Sequence, residues 1–324
     1  MRILVIGGGI AGSSVALLLR QRGIDVTIID EGKPRVNSVL IHSLLLKDED
    51  VNLAKRTLEL YKKWNIILRE YKSYTIGNID ERYLDQWHEA GVKVRRISIR
   101  ELGAEAYEAV GGDRLVNIGK LITLSSPIRA KVKLTIENNT ASIQGVSSNF
   151  DVIVLASGAW NGQMINAPLK SYYCWASLAI TNAFAGSNII YDYELGFYSR
   201  PFIGEGLPLS IVGDGEVLEC PPKKVPKFSI FNVITKVNMR FRAIPIIVGG
   251  NFCEGTPDMR PVYGKVLENL YFIGGLNGYG AEVGPAVAEM LVNYIIDGFE
   301  DKRYSLGRFN DTGEFSLGRE AHEF

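Results

Sequence analysis

The sequence predicts an α/β fold: a parallel sheet flanked by helices, joined to a second, mostly antiparallel β domain. Three observations carry this. The chain opens on a short apolar run, Arg2–Ile6, that ends in glycines and leads into a helical stretch and a second apolar run, Asp25–Asp30. The last third repeats that grammar, with the apolar Leu270–Gly274, a glycine turn and an amphipathic helix. Between them, from Tyr172 to about Gly250, Tyr, Phe, Ile and Val are dense and punctuated by Gly and Pro, as expected of strands and turns.

Bulk properties narrow the class. The chain has 324 residues, enough for two intertwined domains, with 46% hydrophobic and 22% charged residues. Its formal net charge of zero argues against nucleic acid as a partner, because phosphate binding needs excess Lys and Arg. The three cysteines, Cys174, Cys220 and Cys253, are scattered and form no CxxC pattern. Neither a metal site nor a disulfide framework is expected, and a reducing cytoplasm fits best. The glycines at 7, 8, 9 and 12 interrupt the uncharged N-terminal run, so it reads as fold rather than as a secretory leader. No segment approaches the roughly 18 apolar residues of a membrane span.

Taken in order, residues 2–6 read as a strand buried on both faces. Residues 11–22 read as a helix stopped by Gly23, and residues 25–30 as a second strand. Leu53, Leu58, Leu60, Trp64 and Ile67 predict a long amphipathic helix over 49–70. Tyr71–Ile79 and Val92–Ile99 read as strands around a helix near Glu81–Ala90. Residues 131–136 and 140–144 read as a hairpin, and Phe150–Ala156 as another buried strand. The tail after Asp301 is polar and expected to be loose.

Gly7-x-Gly9-x-x-Gly12 lies between a predicted strand and a predicted helix, the context that gives this pattern meaning. Gly7 allows a tight turn, Gly9 admits a pyrophosphate to the backbone, and Gly12 lets helix and strand pack closely. The N–H groups and dipole of the helix start, with Ile10 and Ala11, favour phosphate. Asp30 and Glu31 end the second strand, where an acid accepts hydrogen bonds from a ribose diol and disfavours an added phosphate. One such unit fits any dinucleotide; two, at opposite ends of the chain, point to one long cofactor held from both sides, FAD.

Five stretches in order extend this over most of the chain. They are the N-terminal fingerprint, Asp151–Trp160, Tyr198–Pro201 with Ile211–Gly215, Thr256–Asp258 with Pro261, and Gly274–Gly280. With them the chain resembles the D-amino acid oxidase superfamily of flavoproteins, which includes glycine oxidase and sarcosine oxidase. The resemblance implies a glutathione-reductase-like FAD-binding Rossmann domain and a mostly antiparallel β-sheet substrate domain that roofs the flavin. It places residues 1–75, 115–165 and 257–300 in the first, 76–114 and 166–256 in the second, and 301–324 in a tail. Ser157, Gly158, Ala159 and Trp160 would close on the cofactor at a strand end. Gly275, Gly278, Tyr279 and Gly280 would head a helix, running to about Ile296, whose dipole faces the flavin's pyrimidine edge. Ser38 and His42 fall where relatives run a loop under the flavin, although a lone His is more often simply packed.

The implied chemistry is oxidation of a C–N bond of an amino acid or amine, with hydride passing to the flavin and an imine left behind. Both usual carboxylate anchors are absent. Relatives carry arginine where this chain has Cys253, or lysine where it has Glu282. Arg200, with Tyr198, is the best substitute, and Glu282 can recruit a cationic amine. Arg240 and Arg242 alternate with Met239 and Phe241 and read as a solvated strand face. Cys253 is out of register for a covalent flavin link, so non-covalent FAD is expected. Oxygen, or a quinone or protein acceptor, would take the electrons, and a homo- or hetero-oligomer is compatible. Two alternatives stay open: an NAD-linked dehydrogenase using only the N-terminal unit, and a flavin-carrying electron-transfer subunit without amine turnover.

Overall fold

A computed structural model describes residues 1–32, 39–137, 139–145, 149–202, 208–309 and 315–317. Two sheets organise the chain. The first has six strands in the order Val262–Lys265, Leu270–Gly274, Val152–Leu155, Arg2–Ile6, Asp25–Asp30, Ile128–Arg129. All neighbours run parallel except Val262–Lys265, which is antiparallel to Leu270–Gly274. Its central strands are apolar almost throughout, as in Ile3–Ile6, Val152–Leu155 and Leu270–Gly274, because both faces are covered. Ile3, Val5, Ile28, Val154 and Ile273 pack with the helices Ile10–Gln21, Asp50–Lys63 and Gly280–Asp297 in one core. Leu4, Ile6, Ile29, Ile153, Leu155 and Phe272 lie in a second core that the hairpin Lys133–Glu137/Thr140–Gln144 helps to cover, through Leu134, Ala141 and Ile143.

The register of this sheet matters most for function. Leu270–Gly274, Val152–Leu155 and Arg2–Ile6 are consecutive neighbours and parallel. The turns that follow them, at Gly275, Ser157–Gly158 and Gly7, therefore leave the same edge of the sheet side by side. That is where open parallel sheets bind ligands.

The second sheet has ten strands. Its main path is Val217–Glu219, Lys170–Ile180, Leu209–Gly213, Phe197–Pro201, Ile189–Asp192, Ile67–Ile76, Ala104–Asn117, Val39–His42. Ile244–Gly255 pairs with Lys170–Ile180, and Lys93–Ile99 with Ala104–Asn117. Only Ile189–Asp192 and Ile67–Ile76 pair in parallel. The strands Val39–His42 and Ile67–Ile76 both belong to the larger sheet. One face packs Ile76, Ile190, Phe197 and Val212 against Val233 and Val237 of the helix Phe231–Asn238.

Several expected elements are corrected. The helix expected over 49–70 is Asp50–Lys63, because Asn65 takes a left-handed φ of 53° and the chain turns into a strand at Ile67. The helix Phe231–Asn238 interrupts the region read as β-rich. Met239–Arg242 follows it as a turn and not a strand, and Arg240 is paired with Asp192 and Glu194 at 2.7 Å each. The tail is not loose throughout: Tyr304 is buried and a short 3-10 turn covers Leu306–Arg308. Among the described residues, no helix is long and apolar enough to cross a membrane.

Candidate active site

The N-terminal turn is built by overlap that only glycine avoids. Gly7 has φ 106°, and a Cβ there would overlap the Ala156 carbonyl; a Cβ on Gly12 would overlap the Gly7 carbonyl oxygen. These two positions lock the helix Ile10–Gln21 against the strand end. Gly9 is different, because a Cβ there would meet nothing within 4 Å. Its lack of a side chain serves no packing, so it leaves the helix start accessible to a phosphate. Asp30 braces the loop: its Oδ2 accepts the Gly8 N–H at 2.7 Å and its Oδ1 accepts the Gly32 N–H at 2.7 Å. The expected ribose acid is therefore also the staple of the N-terminal glycine turn. Glu31 is exposed beside it, and Ser38 lies outside the described residues.

The middle turn, Gly158–Gln163, is a short 3-10 helix. The Ser157 N–H donates to Asn161 Oδ1 at 2.9 Å, and the Ala159 carbonyl accepts from Ser171 Oγ at 2.6 Å. The Trp160 ring meets Phe252 edge-on at 6.1 Å.

The third turn is held by three residues that sequence reasoning missed, Glu254, Asn161 and Asn277. Glu254 Oε2 accepts the Gly275 N–H at 2.9 Å and an Asn161 Nδ2 hydrogen at 3.1 Å. Asn161 Nδ2 also donates to the Ile273 carbonyl at 3.1 Å. One buried carboxyl thus ties the middle turn to the closing turn and to the end of the strand Ile244–Gly255. Burial pushes its pKa up to about 7, against hydrogen bonds from Gly275, Asn161 and Gly162 that work the other way. Glu254 was detectable as the lone charge in the stretch Ile244–Gly255. Asn277, with φ 48°, accepts the Thr256 N–H on Oδ1 at 3.1 Å and donates to the Gly275 carbonyl.

Gly278 and Gly280 flank Tyr279, which caps the helix Gly280–Asp297. The Tyr279 phenol turns inward, donating toward Met259 O at 3.1 Å and Asp50 Oδ2 at 3.3 Å. The ring therefore braces the closing turn from inside and does not reach out of it. Asp50 is held up to about 6, chiefly by burial. His42 is a core residue: Nε2 lies 2.8 Å from the Ala54 carbonyl, the ring meets Tyr61 at 5.8 Å, and burial lowers its pKa to about 4.

The second sheet brings the expected substrate residues together. Tyr191 is opposite Tyr198, Tyr198 opposite Gly213 and Arg200 opposite Ile211, so all three side chains share one face. The Tyr198 ring lies over Gly213, where a Cβ would overlap it. Burial works to discharge the Arg200 guanidinium, while Tyr198, Glu282 and Tyr191 favour its charged form. Glu282 sits in the first turn of Gly280–Asp297. Arg200 on the sheet and Glu282 on the helix after the closing turn are thus electrostatic neighbours, as a site between the two requires. Tyr191 was not anticipated. Its phenol donates to Asp113 Oδ1 at 2.7 Å, and Asp113 is pushed up to about 6 by burial. Cys253, at the place of the relatives' arginine, lies on the same face, with its Sγ 3.5 Å from that of Cys174.

Comparison with known proteins agrees with this geometry. A family model described as FAD dependent oxidoreductase matches residues 2–121 and 122–294. Among solved structures, L-proline dehydrogenase from P. horikoshii superposes with a TM-score of 0.77 at 20% identity, over 95% of this chain and 97% of that one. Iminodiacetate oxidase from Chelativorans sp. BNC1 gives 0.71 at 19% identity, over 94% and 98%. Glycine oxidase from Geobacillus kaustophilus gives 0.71 at 14% identity, over 97% and 100%. At these identities the likeness speaks for the fold. No curated protein matches the sequence significantly.

Proposed function

Because the chain belongs to the FAD dependent oxidoreductase family, we propose that it oxidises the C–N bond of an amino acid or amine at a non-covalently held FAD. The observation that carries this reading is the convergence of Arg200, Tyr198 and Tyr191 on one sheet face with Glu282 at the helix start beyond the closing glycine turn.

The residues fit the cofactor. The open backbone at Gly9 and the start of Ile10–Gln21 would hold the pyrophosphate, and Asp30 with Glu31 the adenosine ribose. Ser157, Gly158, Ala159 and Trp160, with Gly275, Gly278 and Gly280, would line the flavin end. FAD, when bound, would supply the two-electron acceptor, taking both electrons as one hydride. The helix Gly280–Asp297 presents its positive end at that place, which favours negative charge developing there.

The chain's own side chains do the positioning. Arg200 takes the substrate carboxylate, with Tyr198 as a hydrogen-bond partner, in a site where partial burial strengthens the pairing. Glu282 attracts the cationic amine. The Tyr191 phenol donates its proton to Asp113, so what its oxygen can offer an amine N–H is an acceptor lone pair. Oxygen, or a quinone or protein acceptor, then takes the electrons.

The test is anaerobic mixing of the flavoprotein with D-, L- and N-methyl amino acids and simple amines, reading loss of the flavin's visible absorbance. Bleaching by at least one carboxylate-bearing amine is expected. Arg200→Gln is expected to weaken that substrate roughly 10- to 100-fold, the value of a charged hydrogen-bonded pair, and to leave simple amines nearly unchanged. A protein that holds FAD and is bleached by none of them contradicts the reading.

A further inference from the structure

We propose that Cys174 and Cys253 form a reversible dithiol–disulfide couple in the wall of the substrate site, a modification site for peroxides and small disulfides. The inference stands on register and distance and does not require amine turnover. The two thiols lie on adjacent antiparallel strands, Lys170–Ile180 and Ile244–Gly255, with Sγ atoms 3.5 Å apart. That is van der Waals contact, about 1.5 Å longer than a disulfide bond. Both are in the thiol form and partly exposed, so small oxidants can reach them.

Their face follows from the pairing. Cys174 is opposite Asn251 and Cys253 opposite Tyr172, which makes the cysteines a diagonal pair on one side of the sheet. Residues 172, 174, 176 and 178 share that side. Leu178 is opposite Ile211, and Ile211 is opposite Arg200. The thiols therefore stand on the face that carries Arg200, Tyr198 and Tyr191. Cys220 does not: its N–H donates to the Ser171 carbonyl, one residue past the Tyr172–Glu219 pair, on the alternate side.

The chemistry balances with two electrons. A peroxide oxidises one thiolate to a sulfenic acid and leaves as water; the second thiolate attacks that sulfur, the S–S bond forms and a second water departs. Overall, two thiols and one hydrogen peroxide give one disulfide and two waters. A dithiol reductant reverses it by exchange. Because the pair is diagonal and not directly opposed, bridging it pulls on both strands, and strained disulfides are the readily reduced ones. The bond is thus a reversible tie across the pocket wall instead of a permanent staple.

The experiment uses the full-length flavoprotein. It is exposed to hydrogen peroxide, denatured, alkylated and mapped by peptide mass. The three alkylatable cysteines are expected to fall to Cys220 alone, with the Cys174 and Cys253 peptides linked, and dithiothreitol restores both thiols. Cys220→Ser still forms the link, whereas Cys174→Ser and Cys253→Ser do not. The proposal is overturned if both thiols stay alkylatable, if each over-oxidises without linkage, or if the links join Cys220 or separate chains.

Discussion

Glu254→Gln isolates the buried carboxyl that joins the middle and closing turns. The folded pKa of Glu254 is about 7 against 4.5 in the free side chain. The native state therefore binds more protons than the unfolded state between those values, and stability falls as pH rises from about 4.5 through about 7. At roughly 1.4 kcal/mol per pH unit the cost above pH 7 is about 3 kcal/mol. A glutamine keeps the shape, its oxygen accepts from Gly275 and Asn161, and it cannot ionise. Glu254→Gln and the parent are then expected to melt together near pH 4 and to diverge above it. The variant should be more stable by about 3 kcal/mol at pH 8.5, roughly 6 °C at about 2 °C per kcal/mol. The assay is thermal unfolding in saturating FAD across that range, comparing the two proteins at each pH so that Asp50 and Asp113 cancel. A difference independent of pH, or a variant less stable at pH 8.5, would refute the placement of a neutral, buried carboxyl behind Gly275.

Gly9→Ala is expected to leave unfolding of the FAD-free protein within about 0.5 kcal/mol, because its Cβ enters open space, while FAD affinity falls at least tenfold by fluorescence titration. Gly12→Ala, whose Cβ overlaps backbone at Gly7, should lose both FAD and stability, by about 1–3 kcal/mol or more. Gly213→Ala displaces the Tyr198 ring and is expected to raise KM for a carboxylate substrate with the flavin spectrum unchanged. Tyr191→Phe removes the hydrogen bond to Asp113. The buried acid then stays protonated to higher pH, and the variant should lose about 1–3 kcal/mol in chemical denaturation.

What was legible in the chain was local. The first strand, helix and second strand, the glycine turns and the closing helix each declare themselves within a dozen residues. The shared edge of the three turns followed once those units were placed in one parallel sheet. The helix Phe231–Asn238 escaped because Phe231, Val233, Ile234, Thr235 and Val237 favour strands, although Val233 and Val237 kept helical spacing on the buried side. The end of the second long helix rested on Asn65 adopting a left-handed conformation, a weak cue. The site's hidden parts are pairs far apart in sequence: Glu254 with Gly275, Tyr191 with Asp113, Cys174 with Cys253. Each depends on strand register, which no local pattern fixes.

The central claim is that the two ends of the chain grip one FAD. Its most direct measure is the visible spectrum and flavin stoichiometry of the purified, folded protein after incubation with FAD and desalting. The account predicts a yellow protein with about one FAD per chain, released intact by acid precipitation, and a Gly9→Ala variant that folds but loses most of the colour. A folded parent protein that stays colourless and does not bind added FAD would contradict it.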